Sequence, residues 1–138
     1  MKVSMKIKVE LVKTSEFIDL ELWKIPAQAL PNNRVIKGFG TINIQESAYS
    51  VGNYLSIPFV YTEGTLAGYD DQDLLFNLPC AFGCSGSAIM NHEGYLVAVM
   101  HAGNNISTTL SIVKAFDTTK VLAIRGIDVQ AFLGDLIE

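Results

Sequence analysis

The stretch AFGCSGSAIMNHEGYLVAVMHAGNN, Ala81 to Asn105, sets Ser85 between Gly83 and Gly86 and follows it with an apolar run, a turn and a second apolar run ending at His101. Glycines flanking a small polar residue let the chain take backbone conformations that other residues resist, so GCSGS reads as a tight turn. Such a turn can aim the amide N–H groups of Gly83 and Ser85 at one point, where the oxyanion of an acyl-transfer intermediate would sit. A plain structural β-turn accounts for the same residues, and the pentapeptide alone does not decide between the two. Downstream, Ser87 to Met90 and Tyr95 to Met100 predict the two strands of a hairpin around Asn91-His92-Glu93-Gly94.

The rest of the chain is written in the same short-strand style. Val3, Met5, Ile7, Val9 and Leu11 alternate with Lys2, Ser4, Lys6, Lys8 and Glu10, the period-two pattern of a half-buried strand. Ile18, Leu20, Leu22 and Ile25 predict a second strand, ended by Pro26. Arg34 to Phe39, Ser47 to Val51, Ser56 to Tyr61, Gly64 to Gly68, Gln72 to Phe76, Thr108 to Ile112 and Val121 to Ile124 are further β-rich pieces punctuated by Gly, Pro and Asn. Only the ending IDVQAFLGDLIE is helical: Val129, Phe132, Leu133, Leu136 and Ile137 share one face, with Asp128 near the start as a candidate cap. Many strands and one terminal helix predict an all-β barrel or sandwich rather than a βαβ protein.

Composition narrows the function classes. A chain of 138 residues, 49% apolar and 17% charged, has the length and apolar content of one globular domain. With ten Lys and Arg and a net charge of −4, it lacks the basic surface that phosphate neutralisation requires, so no nucleic-acid partner is expected. MKVSMKIKVELVK has neither the apolar run nor the cleavage site of a secretory signal, and no stretch approaches the roughly 18 apolar residues of a membrane span. The expectation is a protein with no membrane association, cytoplasmic or of unassigned compartment. Cys80 and Cys84 are too few for an oxidised scaffold and are read as reduced thiols; without further Cys or His pairs they make no metal site, and no cofactor is implied.

In colinear blocks the chain resembles the chymotrypsin-like (trypsin-like) serine proteases, particularly the bacterial high-temperature-requirement branch and related viral proteases. FIDLELWKI, Phe17 to Ile25, is similar to the family's DLALLKV-type block. VGNYLSIPFVYTEGTLAGY, Val51 to Tyr69, resembles the segment that leads into a VxxGxVSG-like pattern. FGCSGSAIMNHEGYLVAVMHAG is similar to GNSGGPLLNxxGxVIGIxxAG, and VLAIRGIDVQAFLGDLI to the closing strand and helix. The resemblance runs from about Lys6 to the C-terminus. It implies Ser85 as nucleophile, Asp19 as the acid of a catalytic triad, and the Gly83 and Ser85 amides as an oxyanion hole. It further implies a substrate-binding set of Met100, His101, Ala102, Gly103 and Cys80. The fold expected is a six-stranded Greek-key barrel, the family's second, with remnant strands of the first over residues 1–25 and the barrel and terminal helix over 26–138.

One part is missing. In this family the histidine base precedes the aspartate block, yet residues 1–18 contain no histidine. Without a base, a serine hydroxyl at neutral pH is a poor nucleophile, because its proton has nowhere to go as the bond to carbon forms. His92 falls in the hairpin turn and reads as a solvated residue. His101 reads in three ways: a structurally satisfied histidine, a specificity-pocket residue if a hairpin bulge shifts it there, or a surrogate base that alternation would bring toward Asp19. The acidic run Tyr69-Asp70-Asp71-Gln72-Asp73 reads as a solvated loop, with preference for a basic substrate as the alternative.

Two functions from different classes follow. The first is a truncated or partial serine endopeptidase acting on peptide or protein substrates, its histidine supplied by an N-terminal protease segment or partner. The second is an inactive relative that keeps the barrel as a peptide-binding or assembly module, accepting an extended peptide along Val97 to Gly103. Both expect association, because the orphan strands Lys2 to Leu11 and Ile18 to Ile25 would expose apolar faces and unpaired edges that another segment or a second copy must cover.

Overall fold

The computed structural model describes residues 6–26, 36–79, 84–106 and 115–134, with the backbone alone over 102–106 and 115–120. Six strands close into an antiparallel barrel: β3 (Ser47–Tyr54), β4 (Ile57–Asp70), β5 (Asp73–Asn77), β6 (Ala88–Asn91), β7 (Leu96–Ile106) and β8 (Ala115–Arg125). Their spatial order, β3-β4-β5-β8-β7-β6, is two three-stranded meanders joined edge to edge, a Greek-key closure in which every strand has two neighbours over part of its length. Preceding it are β1 (Glu10–Thr14) and β2 (Glu21–Lys24), an antiparallel pair outside the barrel, and following it is α1 (Gly126–Leu133). Among the described residues no helix is long and apolar enough to cross a membrane.

Alternation decides which side chains enter the barrel. Leu74 and Phe76 of β5 point inward and are buried, as are Val121 and Ala123 on the neighbouring β8. Leu66, Leu78, Ile89, Ala98 and Met100 complete the interior. A second apolar layer lies outside the barrel wall, where Leu96, Ile124 and Val129 are covered by Leu20, Phe39 and Leu133. The terminal helix belongs to this outer layer. Its first turn is not capped by a side chain: Asp128 instead takes two hydrogen bonds from the Arg125 guanidinium, at 2.7 and 3.0 Å, so the expected cap is replaced by an ion pair. Leu136 and Ile137 lie outside the described residues, as do Thr108 to Ile112 and the start of the Arg34 to Phe39 piece.

Turns explain most departures from the expected strands. The hairpin around Asn91 to Gly94 forms as expected, because the buried Asn91 carboxamide accepts the N–H groups of Glu93 and Tyr95 while Gly94 takes φ 89°. The pieces Ser56 to Tyr61 and Gly64 to Gly68 are one strand, β4, carrying a bulge where Phe59 takes φ 59°. At the two-residue turn between β3 and β4, Leu55 and Ser56 both have positive φ, 49° and 66°, a backbone suited to Asn-Gly rather than Leu-Ser. Replacing Leu55→Asn together with Ser56→Gly is expected to raise stability by about 1 kcal/mol, read as a higher urea midpoint at unchanged slope.

The N-terminal strands are shorter than alternation predicted and shifted along the chain. Pairing starts at Glu10 opposite Lys24, shifts register between Leu11 and Lys13, and ends at Thr14 opposite Glu21. Residues 6–9 pair with nothing described, and residues 1–5 lie outside the description. The hairpin is tied to the terminal helix by Lys13, whose Nζ donates to the Phe132 carbonyl at 2.6 Å and sits 4.8 Å from that ring's centre.

Candidate active site

Ser85 sits on a turn whose geometry follows from its neighbours. The Ser87 N–H donates to the Cys84 carbonyl at 3.1 Å, closing a four-residue turn with Gly86 at φ 87°. That conformation suits glycine and leaves the Ser85 side chain exposed. The turn is pinned to β7, since the Gly86 N–H donates to the Met100 carbonyl at 2.6 Å and the Met100 N–H to the Ser87 carbonyl at 2.9 Å. Ser87 in turn packs so closely on Gly52 of β3 that a methyl group there would overlap its hydroxyl. Gly83 and Cys80, expected for the oxyanion hole and the substrate pocket, lie outside the described residues.

Cys84 is buried and disulfide-bonded, which overturns the reading of reduced thiols. Two cysteines are few for a scaffold, and counting could not reveal the bond at Cys84.

Met100, expected to line a specificity pocket, points into the barrel and is 2% exposed. With Ser50, Gly52, Val60, Cys84 and Ser87 it borders a cavity of only about 10 Å³, close to the smallest space that holds one water. It packs the barrel end beneath the Ser85 turn.

His101 sits where the β7–β8 register breaks. The β7–β8 register runs Met100 opposite Ala123 and then Ala102 opposite Leu122, so His101 is the extra residue of a bulge. Met100 therefore keeps its inward place while His101 faces the outer wall. There its Nε2 lies 2.9 Å from Asp73 Oδ2 of β5. An ionised carboxylate only accepts, so Nε2 carries the proton and donates it.

Asp19, exposed in the bend before β2, lines the same cleft of about 360 Å³ as His101, together with Phe17, Asp71, Asp73 and Asp128. The two share a cleft but no hydrogen bond, so the surrogate-base reading fails: Asp73, not Asp19, holds the imidazole. The acidic run reads Asp73 as part of a solvated loop, although the expected strand piece Gln72 to Phe76 also covers it. Its signal was the buried Leu74 and Phe76 that follow, which turn the preceding carboxylate outward, toward the face His101 shares. Arg125, bonded to the Asp128 of this cleft, is held above the ordinary guanidinium value, first by that hydrogen bond, and so stays charged.

The His101–Asp73 bond is a charge-assisted pair with side chains 23% and 31% exposed. His101→Ala and Asp73→Ala are each expected to cost about 1 kcal/mol, with the double variant costing clearly less than the sum, as measured by urea unfolding of all four proteins.

His92 is exposed in the β6–β7 turn, 3.7 Å from Glu93 Oε1, as its solvated reading expected. Both histidines of the sequence are thus described, and neither hydrogen-bonds the Ser85 hydroxyl.

The backbone of Ala102 and Gly103 continues β7, pairing with Leu122 and Val121 of β8. Upstream, Leu96, Ala98 and Val99 are also paired with β6. The expected docking edge Val97 to Gly103 is therefore closed over its first half by β6, and only the part after Met100 has β8 as its sole described partner. Among the described residues no cluster of His, Cys, Asp or Glu could hold a metal ion.

The barrel order, the single C-terminal helix and the pinned serine turn define a chymotrypsin-like barrel. No protein-family model and no curated protein sequence matches the chain. Among solved structures, it is similar to the HtrA-type protease AlgW with a decapeptide, at 19% identity and TM-score 0.69, over 94% of this chain and 41% of that one. A second form of AlgW with a decapeptide matches at 18% identity and TM-score 0.66, over 91% of this chain and 39% of that one. The chain thus has an HtrA-type, trypsin-like protease fold, and it spans about two fifths of the length of the proteases it matches.

Proposed function

We propose that the chain is the barrel-bearing part of a trypsin-like serine endopeptidase, with the base supplied by polypeptide outside these 138 residues. The observation that carries this reading is the Ser85 turn, exposed and hydrogen-bonded at Gly86 and Ser87 to the Met100 position of β7. It holds a hydroxyl beside the stretch of β7 whose second edge β6 does not occupy. In this reading an extended peptide pairs with the backbone of His101, Ala102 and Gly103, as in strand addition generally.

The Ser85 oxygen then bonds to the scissile carbonyl carbon as the carbonyl π bond opens onto oxygen, which the Gly83 and Ser85 amides stabilise. The hydroxyl proton passes to the supplied imidazole, oriented by Asp19, and from there to the leaving amine; water later releases the acyl group by the same route. Residues 1–25 act here as strands of the first barrel and 26–138 as the second. The decapeptide in the similar AlgW structures supports peptide as the ligand class.

A second reading, a peptide-binding or assembly module without catalysis, is favoured by one observation: both histidines are engaged away from Ser85. A serine-directed fluorophosphonate separates the two. Labelling of Ser85 that appears only when a polypeptide carrying an Ala-His-Cys-like segment is added, and is lost in Ser85→Ala, supports the protease; peptide binding without labelling in either condition supports the module.

A further inference from the structure

We propose that β1 pairs through its open edge with β1 of a second copy of this chain, antiparallel about a two-fold axis passing by Val9. This rests on the N-terminal hairpin of these 138 residues; polypeptide that completes a first barrel around residues 1–25, as the protease reading has it, would compete for the same edge.

The observation behind it is a strand pattern without a partner. Residues Lys6 to Leu11 alternate strictly between charged and apolar side chains, yet among the described residues only Glu10 onward is laddered to β2, and the sheet holding β1 has two strands. An isolated pair of strands is marginal in water, and its outer edge is a template for further pairing. Register puts Leu11 opposite Trp23, with Val9 and Ile25 next on the same face, and these four side chains are 44–46% exposed. That is an apolar face too narrow at two strands to shield itself.

Charge selects both the occupant and the register. A two-fold axis normal to a sheet sets each residue opposite one from the same face, so the residue numbers of every pair sum to an even number. Centred on Lys8 or Glu10, the pairing would set that charge against its own copy. Centred on Ile7, it would set Lys6 against Lys8, and centred on Leu11 or Val12 it would set every charge that pairs within the strand, up to Thr14, opposite an uncharged residue. Centred on Val9, it sets Lys8 opposite Glu10 twice by symmetry and Ile7 opposite Leu11 twice, on opposite faces of the sheet. Opposite charges and apolar pairs directly across an antiparallel ladder are both stabilising. The segment is complementary to itself in one register, which is the signature of an isologous contact. The product is a four-stranded sheet, two strands from each copy.

The test is sedimentation equilibrium of the full chain and of charge-reversed variants. Wild type is expected to dimerise with concentration, more tightly at low salt. Lys8→Glu and Glu10→Lys, each alone, set like charges against each other and are expected to raise the dissociation constant about tenfold or more. Mixed one to one, the two variants restore both opposite-charge pairs and are expected to regain the dimer as a heterodimer, as is the doubly swapped chain with itself. Val9→Pro, placed before the first ladder residue Glu10, interrupts the extended run at the two-fold axis and is expected to stay monomeric with unchanged circular dichroism. A wild type that is monomeric at every concentration overturns the proposal. So does a dimer indifferent to the single reversals, or one that the mixture fails to restore.

Discussion

Gly64→Ala is expected to cost at least about 3 kcal/mol, enough to leave a marginally stable domain largely unfolded at moderate temperature. Gly64 lies in β4 opposite Ala48, at the point where β4 runs closest to the end of β5. A methyl group on its Cα would land on the carbonyl of Asn77 and crowd the Cα of Leu78. The obstacle is backbone, so no rotamer change relieves it. β4 and β5 would have to separate, and the fully buried Leu78 would lift from the core. Gly68, in the same strand, supplies the control. Nothing lies within 4 Å of where its Cβ would be, and its φ is not positive. Gly68→Ala should therefore be neutral or stabilising by about 0.5 kcal/mol, through loss of freedom in the unfolded chain. Urea midpoints of the two variants, measured side by side, check the contrast; equal midpoints would mean that β4 and β5 do not meet as described.

That contrast also marks how far the sequence could be read. The barrel was legible because its signals are local: period-two burial at Leu74 and Phe76, a turn built by Asn91 and Gly94, a glycine at position 86 where φ is positive. What escaped depends on which residue of a strand is skipped by its neighbour. The imidazole of His101 reaches the cleft it shares with Asp19 but bonds Asp73 there, one bulge at His101 shifts the register that follows it, and another at Phe59 bends β4 within its first expected piece. A bulge costs one residue and carries no composition of its own, so alternation counted from Ser85 passed over it. The Ser85 turn itself was read correctly as a turn, whereas its closure onto β7 through Met100 and the disulfide at Cys84 are long-range facts that no spacing states.

The second large effect concerns Ser85. A fluorophosphonate is expected to label the isolated chain no faster than it labels Ser85→Ala, and to label it at least about 10⁴-fold faster once an imidazole-bearing segment is supplied. The reasoning is proton bookkeeping. Attack on phosphorus forms the Ser85 oxygen–phosphorus bond, expels fluoride and frees the hydroxyl proton. Here His101 is held by Asp73, and His92 lies in a distant turn, so that proton can go only to water. A properly oriented base recovers the factor that removal of one triad member costs in related enzymes, because the remaining members act as a unit. His101→Ala makes the comparison sharper. If His101 served as the base, its loss would abolish labelling; with the imidazole engaged by Asp73, the variant should label like the parent both alone and after complementation. Fast labelling of the isolated chain that disappears in His101→Ala would mean that the bulge rearranges to bring this imidazole to Ser85, and the outside source of the base would no longer be required.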